Sequence, residues 1–353
     1  METINKYKGC LLGGAIGDAL GYAVEFDREQ KIFSKYGANG ITEYELKNGT
    51  AIISDDTQMT LFTANGLLSS YYNNSSYTDS IYTAYKEWFI TQNCGYEIKS
   101  KFRTLLVSWL LNVPELWSRR APGFTCINAI SSGKMGSVRN PINDSKGCGG
   151  VMRVAPVGLF FKNTDSISQT DMLAAEASAI THGHELGYIP SATFAHIINL
   201  ISHTNIPLKE AVNDSISHTE KLFKNAENIR YFVRLMKKAV KLSEKNHSDL
   251  DAIHELGEGW VAEETLAIAV YCALKYENDF EKAVITSVNH NGDSDSTGAV
   301  TGNIIGAYLG IEAIPQKFLV PLEISDVISE IAEDLYKYDL DCYREETGKK
   351  YII

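Results

Sequence analysis

Several features that mark common protein classes are missing from this sequence of 353 residues. None of its six cysteines forms a Cys-x-x-Cys pair, which argues against zinc ribbons and thioredoxin-type chemistry. The apolar stretch Cys10–Phe26 is interrupted by Asp18 and Glu25, so neither a membrane span nor a signal-peptide core is expected. We therefore expect a reduced, cytoplasmic protein that does not act at a membrane.

An excess of positive charge is also absent. The formal net charge is −11 and the sequence pI is about 5.3. Direct nucleic-acid binding is not expected, because such binding depends on neutralising phosphates. With 44% hydrophobic and 22% charged residues, the chain has a globular composition and ample material for a core.

Linkers and strand signals are scarce as well. No Pro- or Ser-rich linker, repeat or low-complexity tract divides the chain. Only Gly40–Ile53 carries short β-branched pieces, around the hairpin-type turn Asn48-Gly49. We predict an all-α fold in which residues 1–353 form a single compact multi-helix domain. A two-domain arrangement, with its boundary within Asn112–Gly150, stays open as the alternative.

Helical periodicity dominates the rest of the chain. Gly13, Gly17 and Gly21 recur every four residues in the first helix, and such a stripe lets another helix pack closely. The segments Gly147–Gly150 and Asn289–Gly292 are predicted to be loops. The predicted helices are Cys10–Val24, Thr57–Tyr72, Ser80–Thr91, Ser100–Leu111, Asp171–Thr181, Pro190–Ser202, Leu208–Leu222, Ile229–Lys245, Glu263–Tyr276, Phe280–His290, Ala299–Leu309 and Glu323–Leu335.

Two acidic clusters stand out against this background. One is Ser54-Asp55-Asp56-Thr57, and the other is Asp293-Ser294-Asp295-Ser296-Thr297, about 240 residues further along the chain. Both clusters offer only oxygen ligands and have no lysine nearby. If they converge, their carboxylates repel one another, and hard divalent ions such as Mg²⁺, Mn²⁺ or Ca²⁺ would relieve that repulsion.

Each cluster also has a purely structural interpretation as a helix N-cap. Asp55 and Gln58 have the spacing of a capping box, although one cap does not require two adjacent acids. The second cluster begins like an EF-hand calcium loop, but the twelfth position is Ile304, where that loop needs a glutamate. A calcium-sensor interpretation is therefore rejected, and the metal and N-cap interpretations stay open.

A glycine-rich segment lies between the two clusters. Ser145–Gly150 lacks the Gly-Lys-Ser/Thr ending of a P-loop, so on its own it is more typical of a plain turn. Its glycines could also let backbone N–H groups approach a diphosphate. Further along, His182 and His184 form a His-x-His pair, which without a third His or Cys is more often structural than metal-binding.

Five segments, in order, resemble motifs of the ADP-ribosylglycohydrolase family, which includes the dinitrogenase reductase-activating glycohydrolases. The resemblance runs from about Tyr7 to about Gly310 and leaves a helical C-terminal remainder. The segments are Gly9–Gly21 with Glu25 following, Ser54–Thr57, Gly147–Arg153, Gly257–Glu264 and Gly292–Ser296.

The resemblance implies an all-α enzyme with two Mg²⁺ or Mn²⁺ ions that hydrolyses the bond between ADP-ribose and a modified side chain. It places a mobile metal-site glutamate at Glu25, and the hydroxyl ligand of the second cluster at Ser296 or, as the alternative, Thr297. We expect catalytic parts for Glu25, Asp56 and Asp295. The implied metal ligands are Ser54, Asp55, Asp56, Asp293, Asp295 and Ser296.

The resemblance also implies a substrate-binding cleft. His182 would lie near the phosphates or ribose of the ligand, and Trp260 either covers the adenine or its ribose or belongs to the core. Cys148 stands where relatives commonly have Asn, so no role for its side chain is carried over. The implied substrate-binding residues are Ser145, Gly147, Gly149, Gly150, His182 and Trp260.

The expected function is removal of ADP-ribose from a protein arginine or serine, or from a small ADP-ribosyl compound. An activated water and support for an oxocarbenium-like transition state are what that reaction requires. Two alternatives are kept. One is a non-catalytic ADP-ribose-binding or structural protein on the same fold, and the other is a different metal-dependent nucleotide hydrolase. The acceptor linkage, preferred metal and oligomeric state are not predicted.

Overall fold

The computed structural model describes residues 3–102, 107–162, 166–246 and 248–352. Helices are the main secondary structure of these residues. No sheet occurs in these ranges, in agreement with the predicted all-α class. The α-helices are α1 Thr3–Tyr22, α2 Glu29–Tyr36, α3 Asp55–Asn73, α4 Tyr77–Asn93, α5 Phe124–Ser131, α6 Ala155–Phe160, α7 Ile167–Ala179, α8 Glu185–His203, α9 Leu208–Leu222, α10 Ile229–Ser243, α11 Asp249–Leu256, α12 Ala262–Lys275, α13 Phe280–Val288, α14 Ser294–Leu309, α15 Gln316–Leu319, α16 Ser325–Lys337 and α17 Arg344–Gly348.

Helices α1 and α14 pack against each other backbone to backbone. A Cβ atom built on Gly13 would lie 2.4 Å from the carbonyl oxygen of Gly302, and one built on Gly17 would lie 1.9 Å from that of Gly298. The pairing runs in opposite directions along the two helices, so they are antiparallel. The predicted glycine stripe thus has the predicted function of allowing close approach, and α14 supplies the matching stripe. The pairing places the end of α1 beside the start of α14.

We expect Gly17→Ala to destabilise the protein by about 3 kcal/mol, because the new methyl group meets backbone that cannot rotate away. Chemical denaturation of both proteins measures the change. Gly123→Ala is the control, since no heavy atom lies within 4 Å of its new Cβ. It should cost no more than about 1 kcal/mol, the usual penalty of alanine at a helix N-cap. Equal losses for the two variants would contradict the close-packing argument.

Several helix predictions were incomplete or wrong. The first helix begins at Thr3 rather than Cys10, and α14 begins at Ser294 rather than Ala299. Ser100–Leu111 is not one helix in its described parts, because 3₁₀ segments cover Tyr96–Phe102 and Trp109–Asn112, while residues 103–106 lie outside the described ranges. The short helices α2, α5, α6, α11, α15 and α17 were not predicted, since each is too short for a clear period.

The hairpin-type turn predicted at Asn48-Gly49 is present, since both residues have positive φ and Lys47 and Thr50 form an isolated bridge across it, although Gly40–Ile53 contains no strand. The predicted loop at Gly147–Gly150 needs correction, because its last three residues belong to a 3₁₀ helix over Cys148–Arg153. The described residues include no helix long and apolar enough to cross a membrane.

Candidate metal centre

The two acidic clusters are the N-terminal ends of two helices. Ser54 is the N-cap of α3, where its Oγ accepts from the Asp56 N–H at 3.2 Å. Asp293 is the N-cap of α14, where its Oδ1 accepts from the Ser296 N–H at 3.2 Å. The N-cap interpretation is therefore correct for both clusters. It does not exclude metal binding, because a cap uses one oxygen and leaves the adjacent acids available.

Asp18, on α1, fixes the start of α3 beside the start of α14. Its two carboxylate oxygens accept from the Ser54 N–H at 2.9 and 3.0 Å, and Oδ2 also accepts from the Thr57 N–H at 3.1 Å. The Thr57 hydroxyl donates to the same oxygen. Since α1 lies against α14 along the glycine stripe, Asp18 joins the two clusters through a single helix.

The clusters converge on one cavity of about 180 Å³. Asp55, Asp56, Asp293 and Asp295 line it, each at most 5% exposed. Glu25, in the turn after α1, lines the same cavity and is 8% exposed. The remaining lining residues are Ala121, Gly123, Phe124, Thr125, Cys126, Gly147, Cys148, Gly149, Met152, His182, Trp260 and Ser296.

This chemistry fits hard divalent ions. The lining, among the residues that the structure describes, contains five carboxylates and no lysine or arginine. Asp56 Oδ2 and Glu25 Oε2 are buried there without a hydrogen-bond partner. Buried carboxylate oxygens without a partner are costly, and a cation would satisfy them. Among the described residues, no group of three or more His, Cys, Asp or Glu side chains is spaced to hold a metal ion as it stands, so the acids share a cavity without forming a coordination cage.

Burial and mutual repulsion raise the carboxyl pKa values. The pKa of Asp18 rises to about 6 through burial, against the opposing effect of its hydrogen bonds from Thr57 and Ser54. The pKa of Glu25 rises to about 9 through burial and the charges of Asp293 and Asp55. Burial and neighbouring carboxylates also raise the pKa of Asp55, Asp56 and Asp295. Without a cation, the folded cavity therefore favours protonated acids.

We expect the metal-free protein to lose stability as pH rises from 7 to 9, above the range in which buried neutral histidines such as His182 have the opposite effect. Unfolded carboxyls have a pKa of about 4, so in this range the buried folded acids bind more protons than the same acids in the unfolded chain, and the free energy of unfolding falls. The fall is carried by acids such as Glu25, whose pKa is about 9, whereas the contribution of Asp18 ends near its pKa of about 6. Thermal unfolding in a chelator measures this, and Mn²⁺ at pH 8 should restore stability. A melting temperature that rises with pH in the chelator would contradict the expectation.

The hydroxyl groups of the predicted ligand set differ in position. Ser296 lines the cavity, whereas the Thr297 hydroxyl lies among backbone oxygens, 2.7 Å from Ser287 O and 2.8 Å from Asp293 O. This arrangement supports Ser296 over Thr297 as the hydroxyl ligand. Ser54 is fully buried but is not among the residues that line the cavity, and its hydroxyl serves as the cap of α3. Its part in metal binding stays a prediction.

The glycine-rich segment forms one wall of the cavity. Gly147 and Gly149 line it, and the Cys148 N–H donates to Trp260 O at 3.2 Å, which ties the segment to the Trp260 loop. Gly150 faces away, since a Cβ there would lie 2.0 Å from the Ser178 hydroxyl. Ser145 also lies outside the lining, with its hydroxyl 3.1 Å from that of Thr125. The expected substrate contacts of Ser145 and Gly150 stay predictions.

His182 and Trp260 both reach the cavity. His182 is 1% exposed, and burial together with the charge of Arg153 lowers its pKa to about 3, so its ring is neutral at pH 7. His184 is structural, because it caps α8 and its Nδ1 accepts from the Leu186 N–H. Trp260 is 40% exposed and does not belong to the core. Its ring stacks on Phe26 at the cavity mouth, with 6.4 Å between centroids.

Three neighbours of the site were not predicted from the sequence as site residues. Asp18 looked like an interruption in an apolar helix, although a buried acid near a glycine stripe signals a specific partner. The Cys148 thiol lies 2.7 Å from Asp293 Oδ2, a contact that no local pattern indicates. Phe124 is 84% exposed at the cavity mouth. In the sequence, a phenylalanine directly after the turn-forming pair Pro122-Gly123 is a signal that could have identified it.

The structure is thus an all-helical domain in which two acidic helix ends and a glycine-rich wall surround one cavity. The family model described as ADP-ribosylglycohydrolase matches residues 1–344. The chain therefore belongs to the ADP-ribosylglycohydrolase family, which supports ADP-ribosyl hydrolase activity.

Curated relatives agree with this assignment. ADP-ribosylhydrolase ARH3 of Mus musculus is 24% identical over 365 residues, covering 95% of this chain and 92% of its own. ADP-ribosylarginine hydrolase Tri1 of Pseudomonas putida is 24% identical over 339 residues, covering 95% and 79%. A solved structure titled "ADP-ribosylglycohydrolase-related protein complex" has a TM-score of 0.63 and 22% identity, covering 96% of this chain and 99% of its own. That likeness shows the fold.

Proposed function

We propose that this protein is a binuclear Mg²⁺- or Mn²⁺-dependent hydrolase that cleaves the glycosidic bond between ADP-ribose and its acceptor. The acceptor is an arginine or serine side chain of a protein, or the non-ADP-ribose part of a small compound. This reaction reverses ADP-ribosylation. Family membership and the activities named for ARH3 and Tri1 support the ADP-ribosyl part of the substrate.

One observation carries the proposal: two oxygen-only clusters from opposite ends of the chain line a single buried cavity next to a glycine-rich wall. Five carboxylates in so small a space repel one another unless cations are present. Asp55 and Asp56 would hold the ions from the α3 side. Asp293, Asp295 and Ser296 would hold them from the α14 side, with Ser54 adjacent.

Bound ions would hold ribose hydroxyls and make a coordinated water more acidic. The protein's own groups then have distinct parts. Oxygens of Asp56 and Asp295 that are not occupied by the ions can accept a proton from the water. Glu25 Oε2 is buried at the same cavity without a partner, and it is placed to orient that water and hold its proton. Gly147 and Gly149 line the cavity beside His182, where the lack of side chains would let a diphosphate approach the backbone.

The mouth of the cavity suits a planar group. Trp260, Phe26 and Phe124 are partly or largely exposed there, and aromatic rings bury large apolar area against a flat partner such as adenine. The acceptor, by contrast, has no recognisable contact in the lining. We therefore keep arginine, serine and small-molecule linkages together in the proposal. The cytoplasmic location expected above also stays a prediction.

The test is a substrate panel with the purified protein. Arginine-linked ADP-ribose, serine-linked ADP-ribose and unmodified nucleotides are each incubated with Mn²⁺, Mg²⁺ or a chelator, and released ADP-ribose is measured. The proposal expects release from at least one ADP-ribosyl linkage, and only with a divalent ion. Asp326→Asn serves as the protein control, since Asp326 lies exposed in the first turn of α16, away from the cavity.

Other outcomes identify the alternatives. ADP-ribose binding without turnover on any linkage would favour the non-catalytic binder. Hydrolysis of unmodified nucleotides alone would favour another metal-dependent nucleotide hydrolase. Release that persists after exhaustive chelation would contradict the metal-dependent part of the proposal.

A further inference from the structure

A fully buried arginine lies beneath the glycine-rich wall. Arg153 is 0% exposed, and no described acidic side chain forms an ion pair with it. Its guanidinium stacks over the Tyr85 ring at 4.4 Å, and Nη2 donates to Ala177 O at 3.0 Å and to Thr181 Oγ1 at 2.7 Å. Burying such a cation is costly, so its contacts require an explanation beyond packing.

The Thr181 hydroxyl connects this arginine to His182. Its Oγ1 lies 2.8 Å from His182 Nδ1 and 3.5 Å from Ser178 O. A guanidinium only donates, so Thr181 Oγ1 accepts from Arg153 and keeps a single hydrogen to give. The distance of 2.8 Å is normal for a hydroxyl donor, whereas 3.5 Å is too long. The Cys126 sulfur is also within reach of the hydroxyl, but it is a weaker acceptor than an imidazole nitrogen, so the hydroxyl donates to Nδ1, which then lacks a proton.

The neutral ring consequently carries its proton on Nε2. In the opposite tautomer Oγ1 would accept from both Arg153 and Nδ1–H, and the Thr181 hydrogen would be left with weaker acceptors, the Ser178 oxygen at 3.5 Å or the Cys126 sulfur. Burial and the Arg153 charge keep the ring neutral, with a pKa lowered to about 3. Nε2 faces the glycine-rich wall, because a Cβ built on Gly149 would lie 3.3 Å from it and one on Gly147 would lie 3.4 Å away. No described residue accepts a hydrogen bond from Nε2.

We propose that Arg153 and Thr181 are positioning residues that hold His182 as the Nε2–H tautomer, so that the cavity presents a fixed hydrogen-bond donor to an acceptor oxygen of the ligand. The Nε2–H group has no partner among the described residues and lies beside Gly147 and Gly149, so it suits a phosphate or ribose oxygen of the ligand. The identity of the ligand rests on the proposed function, whereas the tautomer does not.

Long-range ¹H–¹⁵N NMR correlations read the tautomer directly, and loss of signals in His182→Gln assigns the ring among the eight histidines. In the wild type we expect a protonated Nε2 and an unprotonated Nδ1 from pH 5 to 8. Thr181→Val removes the hydroxyl and should let the Nδ1–H form appear. Thr181→Ser keeps the hydroxyl and should restore the wild-type spectrum. A wild-type ring protonated on Nδ1 would overturn the proposal.

Calorimetric titration with ADP-ribose in the presence of Mn²⁺ tests the consequence for binding. Thr181→Val should weaken the affinity about tenfold, the effect of losing one well-placed hydrogen bond, and Thr181→Ser should bind like the wild type. A similar loss with ADP would place the acceptor oxygen on the diphosphate, and a loss confined to ADP-ribose would place it on the terminal ribose. Unchanged affinity and tautomer in Thr181→Val would overturn the proposal. If the wild type binds neither probe, the proposed function fails, and the NMR spectra still decide the tautomer.

Discussion

Asp55→Asn should lower kcat/KM for ADP-ribose release by about a thousandfold or more, which corresponds to about 4 kcal/mol of transition-state stabilisation. Asp55 is 5% exposed at the cavity, and its Oδ2 is already within 3.4 Å of the Gly123 N–H. The amide keeps the shape and removes the charge that a divalent ion needs. Steady-state kinetics at saturating Mn²⁺, with metal affinity measured by calorimetry, give the effect. Asp293→Asn should behave in the same way from the α14 side.

In the absence of metal, Asp55→Asn should stabilise the folded protein. Because burial and neighbouring acids raise the pKa of Asp55, its charged form opposes folding when no cation is bound. Metal-free Asp55→Asn should therefore melt at a higher temperature than the metal-free wild type at pH 8. With Mn²⁺ the order should reverse, since ions that bind only the folded state stabilise it. The exposed control Asp326→Asn should change neither activity nor this order, and an Asp55→Asn protein less stable in both conditions would mean a structural role.

Glu25→Gln should produce a large fall in kcat, on the order of a hundredfold to a thousandfold, with a smaller change in the affinity for the product ADP-ribose. Glu25 follows α1 in a turn, 8% exposed, and its Oε2 has no partner. A group that acts on the attacking water matters mainly in the transition state, so kcat falls more than ground-state binding does. Single-turnover kinetics and calorimetric titration with ADP-ribose measure the two effects separately.

The control for this prediction is Glu43→Gln, a charge removal at an exposed position outside the cavity lining, which should leave kcat unchanged. Metal affinity of Glu25→Gln must also be measured, because loss of an ion would lower kcat for a different reason. A Glu25→Gln enzyme with wild-type kcat would return Glu25 to a structural role at the end of α1.

The predicted secondary structure was most accurate where a pattern was long. The helices predicted at Leu208–Leu222 and Ile229–Lys245 follow clear apolar periods, and the structure places α9 and α10 there. Ser100–Leu111 also contains apolar residues, yet its described parts are 3₁₀ segments. A short apolar run does not specify helix type, because burial against neighbouring elements decides it.

Some features of the candidate site could likewise be predicted from the sequence, whereas others depend on the tertiary structure. The amino-acid sequence by itself determined the ligand chemistry, since Asp55, Asp56, Asp293 and Asp295 are recognisable as oxygen donors next to helix starts. It also determined that a second helix could approach α1 along the glycine stripe. It did not determine that this second helix is α14, because every glycine-rich helix presents a similar backbone surface.

Only the tertiary structure decided which groups share the cavity. Asp18 fastens the start of α3, the antiparallel pairing of α1 with α14 brings Glu25 to Asp293, and Thr181 links Arg153 to His182. These contacts join residues that are distant along the chain, or depend on the burial around them, and no local period records them. The residue types were therefore readable from the sequence, whereas the charges, pKa values and donor directions that they acquire come from burial and close packing.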